Sequence, residues 1–258
     1  MTSKAPLMLD RRSQIAALVR QQGVVRVQEL AELFQVSEVT IRGDLARLEQ
    51  EGVVIRDRGG AVANNQRTML IAFEQRKGLH QFAKQRIGQA AAQMVSPGDT
   101  IIMDAGTTVV EMAKHLTQVA PLTVVTNAIN AAAEMGRHHE QRVLLLGGTV
   151  NYDTLSTLGP MVEQGLNDLV VQKLFLAAQS VDRDMGVTDT SPEIAQVKRA
   201  MVRVARRVIL LADSSKWQRA GFIKVVPFDA IHAVVSDTGL TGDARATLER
   251  AGIKVVLV

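Results

Sequence analysis

Apolar and polar positions follow two rhythms along the chain, a helical one at the front and a strand-and-helix alternation behind it. Ile15, Leu18 and Val19 share one face of a helix that Gly23 stops. Val24, Val25 and Val27 then make a candidate short strand, and Leu30, Ala31, Leu33 and Phe34 a second helical stripe that breaks at Gln35 and Val36. Ser37 is a natural N-cap, its hydroxyl accepting an exposed backbone N–H, for a third helix through Gln50. In that helix Ile41, Leu45 and Leu48 fall at i, i+4 and i+7 and turn inward, which leaves Glu38, Thr40, Arg42 and Arg47 facing out. Gly52 ends it. Val53 to Arg56, a polar tip at Asp57-Arg58-Gly59-Gly60, and Ala61-Val62 predict a two-stranded hairpin.

Two helices joined by a tight break, with outward polar residues on the second and a hairpin behind, make a winged helix-turn-helix arrangement. Residues 63–82, including Asn64, Asn65, Gln66 and Arg67, are more polar and read as a link. A helix from about Lys84 to Met94 and a turn at Ser96-Pro97-Gly98-Asp99 open the rest. Strand-length apolar runs follow at Thr100–Met103, Leu122–Val125, Val143–Leu146, Leu174–Ala177, Val208–Leu211, Ala233–Val235 and Ile253–Val258. Helical patterns at Val109–Leu116, Ala128–Met135, Met161–Leu169, Pro192–Ala205 and Ala244–Ala251 separate most of them. Continuous apolar strands between helices imply an α/β domain with a mostly parallel sheet covered on both faces. The expected division is a winged helix-turn-helix at 1–62, a link at 63–82 and the α/β domain at 83–258.

Composition removes several function classes. The chain has 258 residues and no Cys, so disulfides, thiolate zinc sites and cysteine nucleophiles are excluded, as suits a reducing compartment. No apolar run approaches the roughly 18 residues of a membrane span. Asp10, Arg11 and Arg12 interrupt the amino end where a secretory signal would be apolar, so a cytoplasmic location is expected. The net charge is only +4, and residues 1–60 hold nine basic against eight acidic side chains. Contact with nucleic acid must therefore come from arrangement, not from bulk charge.

Candidate chemistry lies just after the apolar runs, because ligands of open α/β sheets bind outside the carboxyl ends of the strands. Asp104-Ala105-Gly106-Thr107-Thr108 follows the first run, Thr126-Asn127 the second and Gly147-Gly148-Thr149 the third. Gly106, Thr107 and Thr108 open a helix and would cradle a phosphate with backbone N–H groups and hydroxyls, unless Gly serves only the turn and Thr only the cap. Neither a Walker loop nor a dinucleotide fingerprint is present, and no cofactor is expected. His138-His139 lacks a third ligand at suitable spacing, so no metal is expected. Ser214 and Ser215 have no evident His and Asp company for nucleophilic catalysis.

The run from Leu30 through Val36-Ser37-Glu38-Val39-Thr40-Ile41-Arg42-Gly43-Asp44-Leu45, with Leu48-Glu49 and Arg58-Gly59-Gly60-Ala61 after it, resembles the signature of the DeoR family of bacterial transcriptional repressors. That family usually reads Thr-Ile-Arg-Arg-Asp-Leu. Gly43 departs from it, removing a basic side chain and about 1 kcal/mol of helix propensity relative to Ala. Phe73-Glu74-Gln75-Arg76 is similar to the family's post-wing motif, and Glu193 with Lys198 and Asp213-Ser214-Ser215-Lys216 are similar to its Glu-x-x-x-x-Lys and Asp-x-Ser-Lys motifs. The resemblance implies a carboxyl-terminal domain similar in fold to ribose-5-phosphate isomerase that takes a phosphorylated sugar or polyol as effector. By that resemblance Asp104, Gly106, Thr107, Thr108, Thr126, Asn127, Gly147, Gly148, Glu193, Lys198 and Lys216 are effector-binding candidates. Lys198 and Lys216 are cations for the phosphate or for Asp104, with a purely structural ion pair as the alternative. Where the family usually has Gly-Ala-Asp-Gly-Ile-Asp, this chain reads Ala177-Ala178-Gln179-Ser180-Val181-Asp182. The isomerases have catalytic carboxylates in this neighbourhood, so a neutral Gln179 argues against turnover and no catalytic residue is expected; Asp182 remains a pocket candidate. Trp217 stands where the family mostly has Phe.

On the DNA side, Glu38, Thr40 and Arg42 lie in the early turns of the third helix, where base edges and phosphates are met, and Ser37 and Arg47 should meet the backbone. Arg42 suits bidentate readout of guanine. Arg56 and Arg58 on the wing suit phosphate or minor-groove contacts. The competing assignment pairs these arginines with Asp44, Glu49 or Asp57, and Asp44 is expected to orient an arginine. The resemblance, nearest to repressors of galactitol, glucitol and N-acetylgalactosamine operons, implies a homodimer or homotetramer that binds double-stranded operator DNA. The alternatives are a sugar-phosphate isomerase carrying a DNA-binding module, and an effector-dependent activator.

Overall fold

In the computed structural model the residues described are 8–22, 24–51, 53–57, 59–63, 76–116, 119–137, 140–217 and 220–258. Arg58, the post-wing residues Phe73-Glu74-Gln75 and the His138-His139 pair lie outside them. The chain divides into two units, Met1–Ala72 and Phe73–Val258.

The apolar stripes of the first unit close on one another. Its elements are α1 (Met8–Gln22), β1 (Val24–Arg26), α2 (Val27–Phe34), α3 (Glu38–Gln50), β2 (Val54–Asp57) and β3 (Gly60–Ala63). Ile15 and Val19 of α1, Leu30 and Phe34 of α2, and Ile41, Leu45 and Leu48 of α3 are all buried in one core. Gln35, with φ 53°, ends α2 in the left-handed region, and the Ser37 hydroxyl accepts the Thr40 N–H at 3.2 Å to start α3. The wing gains a strand: β3 is central and pairs antiparallel with both β2 and β1. Two expectations are corrected. Val27 opens α2 instead of extending the strand, because Val27, Leu30 and Phe34 share the inward face of an eight-residue helix. Leu33, a quarter-turn away from that face, is 62% exposed.

In the second unit the elements are α4 (Gln81–Ala92), β4 (Thr100–Met103), α5 (Thr107–His115), β5 (Leu122–Thr126), α6 (Ile129–Met135), β6 (Gln141–Leu145), β7 (Thr149–Asn151), β8 (Ser156–Leu158) and α7 (Pro160–Leu166). They continue with β9 (Val171–Ala177), β10 (Ser180–Asp182), β11 (Gly186–Asp189), α8 (Pro192–Val204), β12 (Ala205–Leu211), β13 (Ile223–Val226), β14 (Ala233–Ser236), α9 (Gly242–Arg250) and β15 (Lys254–Leu257). Residues 76–78 are helical and Gln81 already opens α4, so part of the stretch read as a link belongs to this unit.

All seven apolar runs join one sheet, in the order β15-β14-β12-β9-β4-β5-β6, with every pairing parallel. Alternate residues supply its two faces. Ile102, Leu174, Leu176 and Leu210 pack with Val162 of α7, Met201 of α8 and Leu248 of α9. Ile101, Met103, Phe175 and Ile209 pack with Ile87 of α4, Met112 of α5 and Met135 of α6. The chain enters at β4, runs outward to β6, then returns to β9 on the other side of β4. The strand order therefore reverses between β4 and β9, which is where such sheets open a crevice at their carboxyl ends. The patterning misses the β7–β8 hairpin and the antiparallel sheet β10-β11-β13, which follow β6, β9 and β12 in the chain.

Candidate functional site

In the first unit α3 stands with one face in the core and its polar face open. The Arg42 and Glu38 side chains are about half exposed and pair at 2.6 Å, and Arg47 pairs with Glu51 at 3.0 Å. Exposed pairs of this kind contribute about 0–1 kcal/mol, so either guanidinium can leave its carboxylate at little cost. Arg56 leans on Glu49, its backbone N–H donating to that carboxylate at 3.0 Å. Asp44 behaves differently. It is buried, and its two oxygens accept from Arg11 at 2.7 Å and Arg12 at 2.9 Å, pinning α1 to α3.

The crevice between β4 and β9 is built around Asp104. One of its oxygens accepts the Ala105 N–H at 2.7 Å and the other the Ala177 N–H at 3.0 Å, stitching the two strand ends together. Gly106 makes this approach possible, since a Cβ there would stand 2.7 Å from the Ala177 methyl. Lys198 reaches in from α8, donates to the Ala177 carbonyl at 2.8 Å, and lies 3.1 Å from Asp189 and 3.6 Å from Asp104. Burial pushes the Asp104 carboxyl up, against the pull of Lys198 and the two N–H groups. Burial alone would lower the Lys198 ammonium, but Asp104 and Asp189 together hold it above its ordinary value. Lys198 is thus neutralised within the protein.

A second group of cations is not. Lys84 of α4 is 4% exposed, and its ammonium donates to the carbonyls of Arg76 and, at 2.6 Å, Leu79. Burial draws Lys84 below its ordinary value; Asp213 opposes that and the neighbouring Lys216 adds to it. Among the described residues neither Lys84 nor Lys216 has a carboxylate at ion-pair distance. Of the nearby carboxylates, Asp237 accepts from the N–H groups of Ser214 at 2.6 Å and Gly239 at 2.8 Å, whereas Asp213 accepts from the backbone and hydroxyl of Ser215 on one oxygen and keeps the other buried without a hydrogen-bond partner. The Arg76 guanidinium donates to the Asp153 carbonyl in the β7–β8 turn and feels both Asp153 and Asp189.

Comparison with known proteins gives these features a common origin. Residues 11–67 match the model of the DeoR-like helix-turn-helix domain, and residues 79–238 match that of the DeoR C terminal sensor domain. The chain belongs to the DeoR family. A putative aga operon transcriptional repressor of Escherichia coli O157:H7 is 34% identical over 96% of this chain and 93% of its own length. The transcriptional repressor AccR of Agrobacterium fabrum is 35% identical over 89% and 90%, and the repressor GlcR of Bacillus subtilis 30% over 94% and 93%. Ribose 5 phosphate isomerase A from Neisseria gonorrhoeae superposes on 52% of either chain with a TM-score of 0.39 and 12% identity.

Within this DeoR-type sensor the expected residues fall into three groups. Asp104, Gly106 and Lys198 meet at the crevice, and Thr107 and Thr108 open α5 beside them. Thr126 and Asn127 act one strand further out as anchors. The Thr126 hydroxyl donates to the Met103 carbonyl at 2.6 Å, and the Asn127 amide donates to the Thr157 carbonyl at 2.8 Å, holding the β7–β8 hairpin. The side-chain oxygen of Asn127 is buried without a hydrogen-bond partner. Gly148, with φ 154°, accepts no side chain, because a Cβ would lie 2.5 Å from the Leu158 carbonyl oxygen; Gly147 beside it is exposed.

The third group is not brought to the crevice. Glu193 is exposed at the start of α8 and accepts from the Ser191 hydroxyl at 2.6 Å, five residues and therefore most of half a turn away from the Lys198 face. Asp182 caps the β10–β11 turn, accepting the N–H groups of Asp184 and Met185. Gln179 is exposed. Asp189 and Lys84 went unread in the sequence. Asp189 closes a four-residue antiparallel strand with no apolar run to mark it, and Lys84 reads as one more polar residue of a helix start.

Proposed function

We propose that this DeoR-family regulator is a cytoplasmic, homo-oligomeric repressor of a carbohydrate operon, and that a phosphorylated sugar or polyol bound at the β4–β9 crevice lowers its affinity for operator DNA. The unpaired ammonium groups of Lys84 and Lys216 carry this reading. Two adjacent, partly or wholly buried cations share one nearby carboxylate, Asp213, and have none at ion-pair distance, which leaves room for an anion from outside, whereas Lys198 is already balanced by Asp104 and Asp189. A phosphate seated on Lys84 and Lys216 would take further donors from the first N–H groups of α5, at Thr107 and Thr108. Sugar hydroxyls would then meet the crevice carboxylates and the free oxygen of Asn127.

The locked state of the carboxylates supports a sensor without turnover. Both oxygens of Asp104 accept N–H groups, Asp189 is tied to Lys198, and Gln179 offers only a neutral amide in the neighbourhood where the isomerases keep carboxylates. On the DNA side α3 reads the major groove, with Arg42 on base edges, Thr40, Ser37 and Arg47 on the backbone, and Arg56 and Arg58 on the wing. Paired units of this kind would face the two halves of a symmetric operator.

A thermal-shift panel of aldose, ketose and polyol phosphates, each beside its unphosphorylated parent, tests the sensor. A phosphorylated compound at one hundred times its Kd should stabilise the protein by about 2.7 kcal/mol, with no shift from the parent. Equal shifts from parent and phosphate, or none from any phosphate, would contradict the anion site. Product appearing in the same incubations would establish the enzyme instead.

A further inference from the structure

The outward face of α3 holds a feature that guanine readout by Arg42 leaves unused. Val39 is 75% exposed although it is apolar, and as a β-branched residue it adds little to helix propensity. At 3.6 residues per turn Val39, Gly43, Ala46 and Gln50 line up along one strip, directly opposite the buried Ile41, Leu45 and Leu48. Up to Ala46 the strip is apolar and low; the polar Gln50 closes its far end. Nothing lies within 4 Å of where a Cβ of Gly43 would stand, so that glycine answers no packing demand inside the unit. Arg42 and Arg47 flank the strip on either side; Arg42 is drawn away from it to Glu38 at 2.6 Å, while Arg47 pairs with Glu51 at 3.0 Å and also donates to the Gln50 amide oxygen at the strip's far end at 3.3 Å.

A low, apolar strip between two arginines complements the one apolar group that base pairs present in the major groove, the 5-methyl of thymine. We propose that Val39 is a specificity-determining residue that packs on a thymine methyl, with Gly43 letting the helix backbone come close enough for that contact. Each operator half-site then carries a T·A pair beneath Val39, next to the pair read by Arg42. The proposal rests on the reading of α3 as the element that enters the groove, and extends it to a base that carries no hydrogen-bonding role.

The experiment removes only the methyl. Duplexes that bind the full-length protein are selected from a randomised pool, and the best is resynthesised with deoxyuridine replacing each thymine in turn. At one thymine per half-site the unmodified protein should lose roughly fourfold in affinity, the factor that goes with burying about one methylene-sized group. Val39→Ala, at an exposed helical position that tolerates Ala, should bind the thymine and deoxyuridine duplexes alike at that position, whereas Arg42→Ala should keep the methyl dependence and lose a guanine preference. A wild-type protein indifferent to every methyl, or a Val39→Ala variant that keeps the dependence, overturns the proposal. Should Val39→Ala and Arg42→Ala both select the parental sequence, the assignment of α3 as reader falls as well, which separates the two failures.

Discussion

Asp44 shows how one side chain carries the geometry of the DNA-binding unit. Its carboxylate is buried against Arg11 and Arg12, so removing it leaves two guanidiniums without their counter-charge. Asp44→Ala should therefore destabilise this unit by about 3–5 kcal/mol, measured as a loss of its unfolding transition at lower denaturant, with operator binding lost alongside. A change under about 1 kcal/mol would mean that the two arginines simply turn to water. The sequence allowed the role but not the partners: Asp44 was legible as an arginine holder, while Arg11 and Arg12 lie 33 and 32 residues away, and nothing local announces that contact. The same holds in the crevice. Asp104 and Lys198 were legible from a strand end and a motif, yet Asp189, the second carboxylate on Lys198, depends on how short strands outside the main sheet are placed.

At the scale of elements, legibility follows burial. The inner parallel strands are buried on both sides and each left a legible apolar run, although β9 and β12 begin three residues before theirs and the partly exposed edge strand β6 two residues before its own. The strands β7, β8, β10, β11 and β13 are three or four residues long and lie outside the main sheet, so their patterns are too short to carry a period. These additions follow the strand ends that shape the crevice. The turn from β4 into α5 is the most constrained of those ends, because Gly106 lies against the end of β9. Gly106→Ala would force its methyl to 2.7 Å from that of Ala177 and part the strand ends that Asp104 holds together. The expected result is a sensor about 1–3 kcal/mol less stable in chemical denaturation, with a weakened thermal response to phosphosugars. Unchanged stability and response would show that this junction yields freely and does not define the site.

For the whole molecule, the two units matter only through their coupling. A ligand that lowers operator affinity must itself be bound more weakly when operator is present, by the same factor. Lys84 stands where such coupling would begin: its ammonium holds the carbonyls of Arg76 and Leu79, at the start of the second unit, beside the proposed phosphate seat. The decisive measurement is the affinity of the full-length protein for its selected operator duplex, titrated with and without the phosphosugar that stabilises it. Operator affinity should fall 5- to 150-fold, roughly the usual range of allosteric coupling. The Lys84→Met protein should bind the duplex normally but no longer respond. An operator affinity that stays constant or rises with the phosphosugar, or a Lys84→Met protein that responds in full, would contradict this coupling.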